Sequence, residues 1–264
     1  MNLSDISTQL LYTTLPVWIE YTNGKQGFGT GFIFLVAVDD DPQKSIPLLV
    51  TNHHVLKNAK RGLIELVERE DDRPIQGARV RVEIDSGFLA KYLHVDQQND
   101  LAVIPIAPIL NQLAASGRSA FFRSVSPDLV PKSEVIENLA AIEEITFIGY
   151  PSGLYDQHNF TPLIRRGITA TPIWNDFQGQ PAFLIDAGVF PGSSGSPVFL
   201  FSQGGYSSGG NFIIGSRLFF LGVLSELFIR KELANTNVFL GLGKVIKSQR
   251  VRQFAESVVK SLTS

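Results

Sequence analysis

A chain of 264 residues with 44% apolar and 18% charged residues has ample length for a buried core, and its 23 glycines and 14 prolines suit many short strands joined by tight turns. A net charge of −2 without any long basic run excludes the electrostatic footprint of nucleic-acid binding, so no nucleic-acid partner is expected. The absence of cysteine excludes disulfides, thiolate nucleophiles and most zinc arrangements, and no run reaches the length of a membrane span; no metal, cofactor or membrane partner is expected.

In chain order, Met1 to Asp5 offers no basic segment leading into an apolar stretch, so a cytoplasmic location is expected. Leu15 to Tyr21, Gly31 to Val38, Pro47 to Thr51, Ala78 to Ile84, Ala90 to Val95 and Leu101 to Ile106 are predicted strands. Turn signals at Asn23-Gly24, Asp39-Asp40-Asp41-Pro42 and Asp85-Ser86-Gly87 separate them. Pro108 to Glu144 is richer in Ala, Leu, Ser and Glu, and Ile109 to Ser116 is a predicted helix closed by Gly117. A second series of strands covers Ile145 to Gly149, Leu163 to Ala170, Ala182 to Ala187, Ser196 to Phe201, Phe212 to Ile214, Phe219 to Ser225 and Val238 to Gly243. Val251, Phe254, Ala255, Val258 and Leu262 follow helical spacing, which predicts an amphipathic helix over Gln249 to Leu262, capped by Ser248 and packed on the body of the protein.

Three segments carry chemistry. Gly192-Ser193-Ser194-Gly195-Ser196-Pro197 follows an apolar run and sets a serine between glycines, which let a loop aim its amide N–H groups at one point. A histidine pair stands in Thr51-Asn52-His53-His54-Val55, and an aspartate in Asn99-Asp100-Leu101-Ala102-Val103. Each lies at the end of a strand-like run, in the order His, Asp, Ser, one of the arrangements by which unrelated folds build a catalytic triad. Adjacent histidines in extended structure point to opposite faces and make a poor metal clamp.

With Gly29-Thr30-Gly31-Phe32-Ile33 and Asp186-Ala187-Gly188-Val189-Phe190-Pro191, these segments resemble the chymotrypsin-fold, trypsin-like serine peptidases. The pattern is nearest to cysteine-free bacterial HtrA-type peptidase domains without a PDZ domain. The resemblance implies an all-β fold of two six-stranded antiparallel β-barrels packed together, with a C-terminal helix. The barrels would cover residues 1–108 and 145–247, joined by 109–144 and followed by the helix over 248–264, together one peptidase domain.

It implies that Ser194, matching Gly-x-Ser-Gly, is the nucleophile, with the amides of Gly192 and Ser194 as oxyanion hole. His54, which directly precedes Val55, is the implied base in preference to His53, and Asp100, opening Asp-Leu-Ala-Val, is its orienting acid in preference to Asp96. Ser225 resembles the strand serine that lines the cleft, so Ser225, Glu226 and Leu227 would pair with a polypeptide substrate bound in extended form. Relatives that prefer Lys or Arg carry an acid six positions before the nucleophile. Here that position is Gly188, followed by Val189, so a small or medium apolar substrate side chain is expected. Ser193 stands where zymogens have an aspartate, so control by a regulatory protein partner or loop ordering is expected rather than cleavage.

Gly149-Tyr150-Pro151-Ser152-Gly153 reads as a strand end and turn, and Arg165-Arg166 as solvated arginines. The implied activity is that of a serine endopeptidase acting through an acyl-enzyme. The alternatives are a noncatalytic peptide-binding module on the same fold, or an esterase or other acyl hydrolase.

Overall fold

The computed structural model describes residues 2–38, 41–208, 211–231 and 237–263. Helix α1 (Ile6–Leu10) precedes strands β1 (Thr14–Tyr21), β2 (Gln26–Val38) and β3 (Asp41–Asn52), and a single helical turn, α2 (His53–Leu56), follows. The chain continues through β4 (Ala59–Glu70), β5 (Arg73–Asp85), α3 (Ser86–Tyr92), β6 (His94–Asp96) and β7 (Leu101–Pro105). Helix α4 (Ala107–Ala115), β8 (Ala120–Phe121) and α5 (Ser133–Glu137) lead to the second half. That half holds β9 (Glu144–Gly149), β10 (Leu163–Thr169), β11 (Ala182–Ala187), β12 (Pro197–Ser202), β13 (Tyr206–Ser208), β14 (Asn211–Ile213), β15 (Arg217–Lys231), β16 (Asn237–Lys247) and α6 (Ser248–Thr263).

Strands β10-β11-β16-β15-β12-β9 close into a six-stranded antiparallel barrel, and the first half forms an eight-stranded sheet of order β5-β4-β1-β2-β3-β7-β6, with β8 paired to β4. Strands β7, β9, β11 and β12 read as nearly unbroken apolar runs because both of their faces are largely buried. Along β2, Ile33 points into the core of the first sheet while Phe32, Phe34 and Val36 point into a seam between the two halves. Leu49 and Ala102 likewise face the first core, and Leu48, Val50, Leu101 and Val103 the seam. From the other side, Phe147, Val198 and Leu200 fill the barrel, while Ile148 and Phe199 meet the seam. Phe220 is the hub of this layer, its ring centroid 5.4, 6.0 and 5.9 Å from those of Phe32, Phe34 and Phe199. Helix α6 lays Val251, Ala255, Val258 and Val259 into the same seam.

Several expectations are corrected. The first unit has eight strands rather than six, because the connection contributes β8 and a long hairpin forms where only Ala78 to Ile84 was predicted. The charges of β4 conceal its strand character. Glu65, buried on the face of β4 opposite the core residues Ile64 and Leu66, accepts hydrogen bonds from Trp18 Nε1 (3.1 Å) and Arg81 Nε (2.7 Å). The hairpin turns on Asp71 and Asp72, both with left-handed φ (44° and 58°), a conformation aspartate tolerates.

Ala90 to Val95 is split between helix α3 and strand β6, because the Asp85 carboxylate accepts the Phe88 N–H at 2.7 Å and caps the helix, while Phe88, Leu89 and Tyr92 pack onto the first core. Phe212 to Ile214 is no barrel strand. Strand β14 pairs only with β13 in a side hairpin, leaving Phe212 and Ile214 exposed. Ser248 opens α6 from inside, and its buried hydroxyl finds no partner among the described residues, so it is not the expected cap. In the predicted acidic turn, Asp39 and Asp40 lie outside the described residues, and Asp41 and Pro42 already belong to β3.

Candidate active site

The site forms where turns from both halves meet above the seam. Residues 96–100 make a tight turn in which Asp96 accepts the Asn99 amide at 3.1 Å and its side-chain Nδ2 at 2.6 Å. Asp96 is therefore a structural residue, and the turn it closes presents Asp100 at a left-handed φ of 52°. The Asp100 carbonyl accepts the His53 N–H at 3.1 Å and Asn52 Nδ2 at 3.0 Å, clamping the acid to the end of β3. Its side chain then meets the next residue twice. Oδ1 accepts the His54 amide at 2.9 Å, and Oδ2 lies 2.7 Å from His54 Nδ1. A carboxylate only accepts, so this contact assigns the ring proton to Nδ1 and leaves Nε2 as the basic nitrogen. Helix α2 holds the imidazole through buried Val55 and Leu56, and Tyr21 Oη donates to the Val55 carbonyl at 3.2 Å.

Ser194 sits across the seam on a loop shaped by Gly192 (φ 87°) and Gly195 (φ 89°). A Cβ on Gly195 would overlap the Thr30 carbonyl oxygen, so glycine is required there by contact as well as by dihedral. The peptide planes of the loop are pinned from behind. Pro191 O accepts the Ser152 amide at 2.5 Å, Gly192 O accepts the Thr30 hydroxyl at 3.0 Å, and Ser193 O accepts the Ser196 amide at 3.0 Å. In a trans peptide the N–H points opposite to the preceding carbonyl, so the Gly192 and Ser194 amides are turned away from these partners. Among the described residues, neither of the two amides has an acceptor. The Ser194 hydroxyl donates to the Ser225 carbonyl at 3.3 Å.

His54, Asp100, Gly192 and Ser194 line one open cleft of about 510 Å³ together with Tyr21, Phe28, Pro191, Ser225, Glu226, Leu227 and Lys244. The model of the trypsin-like peptidase domain matches residues 29–205, about two thirds of the chain, including all three of His54, Asp100 and Ser194. The chain belongs to the trypsin-like peptidase family.

Among solved structures, the HtrA-type protease AlgW with tripeptide is similar at 15% identity and TM-score 0.56, covering 99% of this chain and 64% of that one. The catalytically active tobacco etch virus protease complexed with product is similar at 13% identity and TM-score 0.51, covering 98% of this chain and 81% of that one. At these identities the likeness is one of fold. The chain spans less than two thirds of the length of AlgW, and no curated protein matches it by sequence.

Of the residues expected to touch substrate, Ser225, Glu226 and Leu227 line the cleft of this trypsin-like peptidase, but Gly188 and Val189 are not among its lining residues. Val189 is buried in the barrel core against Gly243, and the space above Gly188 is filled by the Arg165 guanidinium. Glu226 is half exposed and ion-paired with Lys244 Nζ at 2.9 Å. His53 is part-buried, Ser193 fully buried, and Ser196 packs its hydroxyl against Gly149.

Sequence reasoning missed the scaffold behind the serine loop. Thr30 donates its hydroxyl to Gly192 O, accepts the Tyr150 amide at 3.1 Å, and gives its own amide to Ser194 O at 2.9 Å. The turn at Tyr150 and Ser152 is thus part of the site's support rather than a plain strand end. The signal was present, since Gly29-Thr30-Gly31 belongs to the resemblance, but spacing alone does not reveal a hydroxyl that bridges the two halves.

Proposed function

We propose that the chain is a serine endopeptidase in which Ser194 attacks the scissile carbonyl, His54 Nε2 takes the hydroxyl proton and returns it to the leaving amine, and Asp100 holds the imidazole in the required tautomer. The observation that carries this reading is the 2.7 Å contact of His54 Nδ1 with Asp100 in the cleft that Ser194 also lines. A small rotation about one side-chain bond releases the Ser194 hydroxyl from Ser225 O, and apo sites commonly tighten the Ser–His contact only with substrate bound.

Charge develops on the carbonyl oxygen of the tetrahedral intermediate, and the Gly192 and Ser194 amides, lacking other acceptors among the described residues, supply the oxyanion hole. Loss of one such donor costs about 10²–10³ in rate. A substrate in extended form pairs with Ser225–Leu227, and water then cleaves the acyl-enzyme with His54 again as base.

The test is the mass of the intact protein after exposure to a fluorophosphonate. Wild type gains one adduct, whereas Ser194→Ala gains none and His54→Ala labels at least about 10³-fold more slowly. Asp100→Asn folds normally but labels more slowly by up to about 10⁴. Equal labelling of wild type and Ser194→Ala refutes the assignment.

A further inference from the structure

Arg165 is the residue the reaction leaves unexplained. Its neighbour Arg166 is exposed and paired with Glu144, as expected of a solvated strand end. Arg165 differs in direction and in company. On β10 it stands directly opposite Phe147 of β9, and directly opposed residues of an antiparallel pair share a face. Phe147 lies in the barrel core, so the Arg165 side chain leaves on the inner face.

It runs to the segment that leads into the nucleophile. A Cβ at Gly188 would overlap its guanidinium, and its Cζ lies 5.3 Å from the centre of the Phe190 ring, four residues before Ser194. Phe190 in turn rests on Phe239 of β16 at 5.9 Å. Among the described residues, no carboxylate or hydrogen-bond acceptor engages this half-buried guanidinium. A planar fork of five donors held against an aromatic ring without an acceptor is prearranged for a carboxylate. Asp186, the nearby acid, projects from the exposed alternate face of β11.

Pro191 and Gly192 on one side and Ser225–Leu227 on the other line the cleft beside Ser194, and residues 188–190 lead directly into the first of these walls. Leu224, Val189 and Gly243 close on one another, which fills the apolar floor that the sequence suggested. Glu226 and Lys244 on the cleft pair with each other, whereas Arg165, just behind the 188–190 segment, carries a charge with no acidic partner among the described residues. The open space expected beside Gly188 for an apolar side chain is filled by the Arg165 guanidinium.

We propose that Arg165 is a specificity-determining residue that selects substrates with an acidic side chain, Asp or Glu, immediately before the cleaved bond. The guanidinium receives the side-chain carboxylate in a bidentate contact, with Phe190 holding its plane. This assignment rests on the peptidase reading above.

The experiment uses the full chain with three internally quenched peptides identical except for Glu, Gln or Leu before the scissile bond, and runs fluorophosphonate labelling of Ser194 in parallel. Wild type is expected to cleave the Glu peptide with kcat/KM at least about tenfold above the Gln peptide. In Arg165→Gln the Glu-to-Gln ratio is expected to fall to about one while fluorophosphonate labelling of Ser194 persists, and in Arg165→Lys, which keeps a point charge but not the fork, the ratio is expected to fall between. Should Arg165→Gln fail to fold, the wild-type ratio and Arg165→Lys decide.

Equal or better cleavage of the Gln or Leu peptide, a ratio unchanged by Arg165→Gln, or labelling without cleavage of the Glu peptide overturns the assignment and leaves the peptidase reading standing. Absence of both labelling and cleavage overturns the peptidase reading, and this one with it.

Discussion

Replacing Thr30 by valine removes one hydroxyl from a fully buried position while keeping the shape of the side chain. Two partners lose their bond. The Tyr150 amide loses its acceptor at 3.1 Å and the Gly192 carbonyl its donor at 3.0 Å. Each buried polar group left unpaired costs about 1–3 kcal/mol, so the variant should lose about 2–6 kcal/mol, a lowering of Tm by roughly 4–24 °C in a chain of this size. The backbone bonds of Thr30 to Ser194 O and from Thr51 Oγ1 (2.9 and 2.8 Å) do not involve the hydroxyl and remain. The functional effect follows from position, because the Gly192 carbonyl orients the loop that carries the proposed oxyanion donors. Labelling by a fluorophosphonate should slow about tenfold, less than the loss of a donor outright. Urea unfolding and labelling rates at one pH measure both quantities, and Thr30→Ser should recover most of each. A valine variant within about 0.5 kcal/mol of wild type that labels at the wild-type rate refutes the argument that this hydroxyl supports the loop.

Three further outcomes are expected. Gly195→Ala, which combines a left-handed φ with overlap on Thr30 O, should lose about 2–4 kcal/mol and nearly all labelling; a stable, reactive alanine variant would show that the loop has room to move. Glu143→Ala leaves the nearly buried Arg217 guanidinium without its bidentate partner (3.3 and 2.5 Å) and should cost about 3–5 kcal/mol in urea unfolding, while the pair Glu143→Leu with Arg217→Met stays near wild type. Burial pushes the Tyr150 phenol above its ordinary range, so its contribution is intact below pH 10, where both states are neutral, and is lost as pH rises because the unfolded chain ionises first. Each pH unit above 10 should cost about 1.4 kcal/mol, and Tyr150→Phe should show a correspondingly flatter decline between pH 10 and 11.

Barrel strands β11 and β12 were legible in the sequence because burial on two faces makes them nearly continuous apolar runs, as in Phe183 to Ile185 and Val198 to Phe201. The triad segments were legible because their residue types and order are unusual together. What escaped was decided by partners distant in sequence. Nothing local to Ala59–Glu70 announces that Glu65 will be satisfied by Trp18 and Arg81, and without those partners its charge argues against a buried strand. The Asp85 cap turned a β-prone stretch into helix α3 because a single carboxylate met a free amide at the right moment in the chain. Arg165 and Arg166 look alike in sequence, yet the two-residue period of β10 sends them to opposite faces, and only the register with Phe147 says which one turns inward.

The seam makes assembly of the cleft depend on the order in which its parts are made. His54 and Asp100 come from one half and Ser194 from the other, and α6, which follows every other element, fills the layer between them by contact with β2, β7, β15 and β16. During synthesis the ribosome releases Val251 to Val259 after all three triad segments have emerged. A nascent chain therefore carries both halves of its cleft before it has the wedge that fills the layer between them, and the two halves gain this shared packing only when α6 folds against β2, β7, β15 and β16.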